Sequence, residues 1–124
     1  MRAVATVVMN RVRVPNGEYH RVGQGDIRKV IYQPGQFDCV RSVIGGQPNY
    51  QTIWSNPPDQ IHYDIADWAL AGNRLYNIGN SLWYFNPFSP ICPPGFPPRT
   101  GSGYFLVRLR EHCFYNPTAL YPET

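Results

Sequence analysis

The placement of proline and glycine limits this chain more than any other feature. They supply 13 and 11 of its 124 residues, about 19% together, below the roughly 25–30% at which a sequence reads as low-complexity. Proline fixes φ and has no N–H to donate, so regular elements must fit between the prolines. Pro15-Asn16-Gly17, Pro34-Gly35, Pro57-Pro58 and Asn86-Pro87 mark breaks, and Ser89 to Gly103 alone holds five prolines and three glycines. With 43% hydrophobic and 15% aromatic residues, the intervening segments carry enough apolar surface for one core, and the length suits one domain. The expectation is a single loop-rich α+β domain over residues 1–124, without internal repeats.

Residues 3 to about 13 read as a helix whose apolar face is Val4, Val8 and Val12. No Ser, Thr, Asp or Asn caps its start and its first turn holds no acid, so it reads as a helix entered partway along. A loop with Gly23 and Gly25 leads to Asp26, an N-cap for a short helix through Ile27, Val30 and Ile31. Asp59 after Pro57-Pro58 caps a third helix with the stripe Ile61, Ile65, Trp68 and Gly72, and Trp68 is assigned to the core. Beyond Gly79 the pattern turns to β. Leu82-Trp83-Tyr84-Phe85 is a short aromatic strand that places Trp83 in the core, and Tyr104 to Tyr115 alternates as one strand. Between them the Pro-rich stretch is a long irregular loop.

Ten arginines and one lysine give a net charge of +3, with a local +4 through Arg41 and a local −2 from Ser42 to Pro98. A basic amino-terminal third suits an anionic polymer, yet no Lys/Arg cluster forms a phosphate track, so nucleic acid is not an expected partner. No apolar run reaches the ~18 residues of a membrane span, and the start lacks the pattern of a signal peptide. Cys39, Cys92 and Cys113 have no metal-ligand spacing, so neither metal nor cofactor is expected. Cys92 and Cys113 can staple the proline loop to the last strand, which three titratable thiols under denaturing conditions would rule out.

Of the candidate acids, Glu18 falls in a Pro/Gly loop, Glu111 lies between Arg110 and His112, and Glu123 is at the frayed end. None suits a general acid, which needs partial burial to keep its proton. Asp64 and Asp67 read as a solvated helix surface. A cysteine nucleophile would draw on Cys39 or Cys113 with His20, His62 or His112, but His112 and Cys113 point to opposite faces of a strand, and Cys39 reads as a small buried hydrophobe. More informative is a surplus of aromatic and amide groups: Tyr32, Gln33, Gln36, Phe37, Trp54, Trp83, Tyr84 and Asn86. Aromatic faces against sugar rings, with amides bonding hydroxyl and acetamido groups, are how a cleft holds a glycan.

Four segments carry a resemblance when taken together: Ala3-Val4-Ala5-Thr6-Val7-Val8-Met9-Asn10-Arg11-Val12, Ile31-Tyr32-Gln33-Pro34-Gly35-Gln36-Phe37, Ser81-Leu82-Trp83-Tyr84-Phe85 and His112-Cys113-Phe114-Tyr115-Asn116-Pro117-Thr118. In order and spacing they resemble the SleB/CwlJ cell-wall hydrolases, the spore cortex-lytic enzymes of endospore-forming bacteria, on the CwlJ side. The resemblance implies a small α+β domain related to lysozyme-like lytic transglycosylases. It implies action on the muramic-acid-containing glycan strands of peptidoglycan, in the spore coat or cortex; the alternative expectation is a non-catalytic module that binds peptidoglycan or docks to a spore-coat protein. It also implies that the family's catalytic glutamate would precede Met1, leaving no residue here to inherit that role. Tyr32, Gln33, Phe37, Tyr84 and Asn86 are then the expected groove residues, and the Val4/Val8/Val12 face is expected to drive self-association.

Overall fold

The computed structural model describes residues 1–50, 52, 56–98 and 100–124. Its first element is helix α1 (Arg2–Arg13), followed by α2 (Gly17–Gly23), α3 (Ile27–Ile31) and, after a small two-stranded ribbon β1 (Val43–Ile44) and β2 (Gln47–Pro48), by α4 (Gln60–Leu70). A three-stranded antiparallel sheet follows: β3 (Trp83–Phe85), β4 (Gly103–Leu109) and β5 (His112–Pro117), in the spatial order β3-β5-β4. Helices and antiparallel strands are segregated along the chain, the arrangement of an α+β domain. Among the described residues no helix is long and apolar enough to cross a membrane.

The buried face of α1 differs from the valine stripe. Thr6, Val7, Asn10 and Arg11 are buried, while Val4, Val8 and Val12 are only half-buried. The cause lies about 70 residues downstream. Residues 75–82 run past α1 without a strand partner for most of their length, so their backbone groups need partners from side chains. Asn10 Nδ2 donates to the carbonyls of Gly79 (3.1 Å) and Ser81 (3.0 Å), Arg11 Nε donates to that of Leu82 (2.7 Å), and Thr6 Oγ1 accepts from the Leu75 N–H (3.1 Å). These residues dock one helix face onto irregular backbone, a task that apolar side chains cannot perform.

Two helix starts follow local chemistry. Asp26 accepts from the Arg28 N–H at 2.8 Å, and Asp59 forms a capping box in which His62 Nδ1 accepts the Asp59 N–H at 2.9 Å. The segment expected as a loop before Asp26 contains α2, so Glu18 stands in the first turn of a helix. At its start Gly17 has φ +73°, and a Cβ there would lie 2.5 Å from the Tyr121 ring, so both backbone and packing require glycine.

The long alternating segment is a hairpin, not one strand. It turns at Arg110 (φ +54°) and Glu111, with Leu109 opposite His112 and a register shift between Phe105 and Val107. β3 pairs with β5, placing Trp83 opposite Tyr115, Tyr84 opposite Phe114 and Phe85 opposite Cys113. Alternation then divides the core. One face gathers Trp83, Cys113 and Tyr115 with Tyr19, Leu82 and Tyr121; the other gathers Phe114 with Val7 and Ile78, packed by Tyr84, Val107 and Leu109. Trp83 is the core tryptophan, 6% exposed, whereas Trp68 is half-buried under the Arg2 guanidinium at 5.3 Å.

The proline-rich stretch covers the first of these faces. Phe96 stacks on Phe85 with centroids 4.7 Å apart, the Tyr115 hydroxyl donates to the Pro93 carbonyl at 2.7 Å, and the Phe105 N–H donates to the Pro94 carbonyl at 3.0 Å. Cys92 and Cys113 are disulfide-bonded, closing a sequence separation of 21. Cys39, read as a buried hydrophobe, is exposed with a free thiol because its 3₁₀ turn (Asp38–Val40) lies at the surface.

Candidate functional site

The first helix and the two central motifs converge on Arg11. Its side chain is 6% exposed. Besides the bond to Leu82, Nη1 donates to Gln36 Oε1 at 3.4 Å, and the guanidinium carbon lies 4.4 Å from the centre of the Tyr19 ring and 5.3 Å from that of Phe37. Tyr19 donates its hydroxyl to the same Gln36 oxygen at 3.2 Å, and the Tyr121 hydroxyl accepts the Tyr19 N–H at 3.1 Å. One cation therefore pins the Tyr32–Phe37 turn, α2 and the start of β3 together. Burial pulls the Arg11 guanidinium below its ordinary value, opposed by Tyr19, Tyr84 and Tyr121 and least by Glu18. Burial also raises the phenols of Tyr19 and Tyr84, and it pushes that of Tyr121 up to about 12.

The expected groove residues divide around this centre. Tyr32, at the C-terminus of α3, is half exposed, and Gln33 beside it is buried. Gln33 Nε2 donates to Glu18 Oε1 at 3.4 Å, while Gln33 Oε1 is buried with no hydrogen-bond partner among the described residues. Phe37 lies under Arg11. Tyr84 is half-buried, within electrostatic reach of Arg11, stacked on Phe114 at 5.9 Å and tilted against His112 at 5.8 Å. His112 and Phe114 continue into an apolar groove of about 630 Å³ bordered by Ala3, Val4, Ile65 and Leu109. Asn86 stands apart: its Nδ2 donates to Glu111 Oε2 at 3.5 Å, and its Oδ1 accepts the Phe88 N–H at 2.8 Å. Trp54 lies outside the described residues.

Of these groups the Tyr32 ring is exposed and can stack on a sugar, whereas the Gln33 amide oxygen and the Arg11 guanidinium are buried. Glu111 and Glu123 are exposed and Glu18 is half-buried. Among the described residues no group of three or more His, Cys, Asp and Glu side chains could hold a metal ion. Sequence reasoning missed Tyr19, Glu18 and Tyr121 as parts of this cluster. Their one sequence signal, the glycine-bounded segment Gly17–Gly23, reads as a loop by composition.

Residues 1–115 match the cell wall hydrolase family, and the chain belongs to that family. Within it, the chain is 30% identical over 119 residues to Cell wall hydrolase CwlJ of Bacillus subtilis (strain 168), covering 96% of this chain and 72% of that protein. It is 29% identical to Cell wall hydrolase CwlJ of Halalkalibacterium halodurans, over 96% of this chain and 73% of the relative. The protein of the same name from Oceanobacillus iheyensis is 27% identical over 79% of this chain and 72% of its own length. No solved structure matches the chain.

Proposed function

We propose that this chain is a peptidoglycan-cleaving cell wall hydrolase domain that engages glycan strands at muramic acid linkages. In this reading it works as a hydrolase or lytic transglycosylase on the spore cortex during germination, located in the spore coat, cortex or wall. Family membership and the names of the relatives support the substrate class. The observation that carries the reading is the convergence of the Tyr32–Phe37 turn and the Leu82–Phe85 strand on Arg11. In this reading Tyr32, Gln33, Phe37 and Tyr84 line the groove, while Asn86 contacts a more distal part of the strand.

Cleavage of a glycosidic bond needs a carboxylic acid that protonates the leaving oxygen and then takes a proton back while water, or the substrate's own hydroxyl, completes the reaction. Glu111 and Glu123 meet water freely, and Glu18 already accepts from Gln33, so none of the three is assigned that role. The chain's own groups hold and orient the strand. A second reading, a non-catalytic peptidoglycan-binding or coat-docking module, draws on the same fact: none of Glu18, Glu111 and Glu123 is fully buried.

The test is co-sedimentation with insoluble peptidoglycan combined with assay of released reducing and anhydro-muramic ends. Binding that weakens several-fold in Tyr32→Ala supports the groove; failure to sediment at all refutes the reading. Binding without released ends selects the non-catalytic module. Turnover that disappears in Glu18→Gln would make Glu18 the acid and overturn the assignment above. Self-association through Val4, Val8 and Val12 belongs to the same proposal, and a strictly monomeric sedimentation profile would exclude it.

A further inference from the structure

Beside Asn10 lies a second concavity, a pocket of about 330 Å³ lined in part by two arginines. Arg13 comes from the last turn of α1 and Arg74 from the segment after α4. Neither guanidinium makes a hydrogen bond, ion pair or ring contact among the described residues, and neither does the Asn80 side chain that also lines the pocket. Val14, Pro15, Leu82 and Pro117 form the apolar wall, and among the described residues no acidic side chain lines the space.

Unpaired arginines are ordinary where each extends alone into water. These two differ because the fold holds their anchor points together. The bonds from Asn10 to Gly79 and Ser81, and from Leu75 to Thr6, fix the 74–80 segment against α1. The carbonyl end of α1 contributes roughly half a negative charge, which leaves most of two positive charges unopposed. Two guanidinium forks beside an apolar wall match a planar carboxylate that carries a small apolar neighbour. A phosphate would satisfy the cations and leave the Val14, Pro15 and Pro117 wall unused.

We propose that this pocket binds an organic carboxylate flanked by a small apolar side chain, as found at the free carboxyl end of an alanine-terminated peptide of the cell wall. The assignment of the wall as the source rests on the function proposed above; the carboxylate chemistry rests on the pocket. Arg13 and Arg74 clamp the carboxylate, Asn80 donates to it or to the preceding peptide carbonyl, and the proline and valine wall receives the methyl group. The domain then reads the peptide attached to a strand as well as the strand itself.

The experiment titrates the purified chain with N-acetyl-D-alanyl-D-alanine, with its C-terminal amide and with inorganic phosphate, by calorimetry and by amide NMR. Expected are saturable binding of the dipeptide with shifts at the Val14 and Asn80 amides, and about tenfold weaker binding of the amide and of phosphate. A loss of similar size is expected in Arg13→Gln and in Arg74→Gln. Arg21→Gln, an exposed arginine on α2, is expected to bind as the wild type does. Equal binding of acid and amide, equal binding of phosphate, unchanged affinity in Arg74→Gln, or no saturable binding would each overturn the proposal. Comparison of acid with amide on the wild-type chain needs no variant to fold. Peptidoglycan co-sedimentation separates the two levels: strand binding without dipeptide binding refutes the pocket alone, and dipeptide binding without strand binding refutes the cell-wall reading alone.

Discussion

Arg11→Met is the sharpest perturbation of the helix-to-sheet junction, because it keeps most of the side-chain volume and removes only the charge and its donors. The variant removes the donor from the buried Leu82 carbonyl, bonded at 2.7 Å, and from the half-buried Gln36 Oε1 at 3.4 Å, which keeps its bond from Tyr19. A hydrogen bond from a charged donor contributes about 1.5–3 kcal/mol net, and the guanidinium over Tyr19 at 4.4 Å adds about 0.5–2 kcal/mol. Against these stands the cost of keeping a guanidinium out of water, which methionine relieves. Relief would dominate if the cation had only another charge as partner. Here the principal acceptor is a backbone carbonyl that stays in place and stays dry, so the loss should prevail by about 2–4 kcal/mol. For a chain of this length that lowers Tm by roughly 6–16 °C. Urea and thermal unfolding followed by near-ultraviolet circular dichroism, which Trp83 and the tyrosines around it report, provide the assay. A variant as stable as the wild type, or more stable, would refute the view that Arg11 holds the start of β3.

Gly17→Ala should cost about 2–4 kcal/mol in urea unfolding, since alanine must adopt a left-handed φ while its methyl meets the Tyr121 ring. Opening the Cys92–Cys113 bridge by the Cys92→Ser, Cys113→Ser pair should cost about 3 kcal/mol from the loop it closes; denatured, unreduced wild-type chain should titrate one thiol, that of Cys39, and three thiols would contradict the bridge. Stability should fall as pH rises from about 10 toward 12: the unfolded Tyr121 phenol ionises near 10 while the folded one, pushed up to about 12 by burial, keeps its proton. Tyr121→Phe should flatten that fall, and an equally steep alkaline limb in the variant would assign it to other groups.

What the sequence discloses here is local. Asp26 and Asp59 announce their helices because a cap bonds within three residues, and Trp83-Tyr84-Phe85 reads as a strand because its side chains suit no other state. The hairpin turn is invisible because Arg110 adopts a positive φ without the Asn or Gly that normally marks one. Helix α2 is invisible because it starts and ends on glycine and is held by Tyr121, a residue a hundred positions away. The α1 error is the most instructive. Its valines recur at a helical period, yet the face that matters is Thr6, Asn10 and Arg11, whose partners are carbonyls that no periodicity can locate. The arrangement of the motif residues was not legible: Phe37 and Tyr84 lie near the Arg11 cation, Gln33 bonds Glu18, and Asn86 bonds Glu111 at the hairpin tip.

The α1 contacts also distribute mutational freedom unequally. Asn10 and Arg11 address carbonyls, a group every amino acid supplies, so the side chains at Gly79, Ser81 and Leu82 play no part in those three bonds. The helix supplies all the specificity and its partner only a path of backbone. Over generations of drift Ser81 and Leu82 can change their lettering, as far as their own packing allows, without breaking the joint, whereas positions 10 and 11 cannot, and Gly79 is held by its φ of +51° and not by the bond it accepts. A library that randomises both sides should therefore return survivors with fixed residues in the helix and, apart from Gly79, varied ones opposite, a lopsided record of a contact that is symmetric in space.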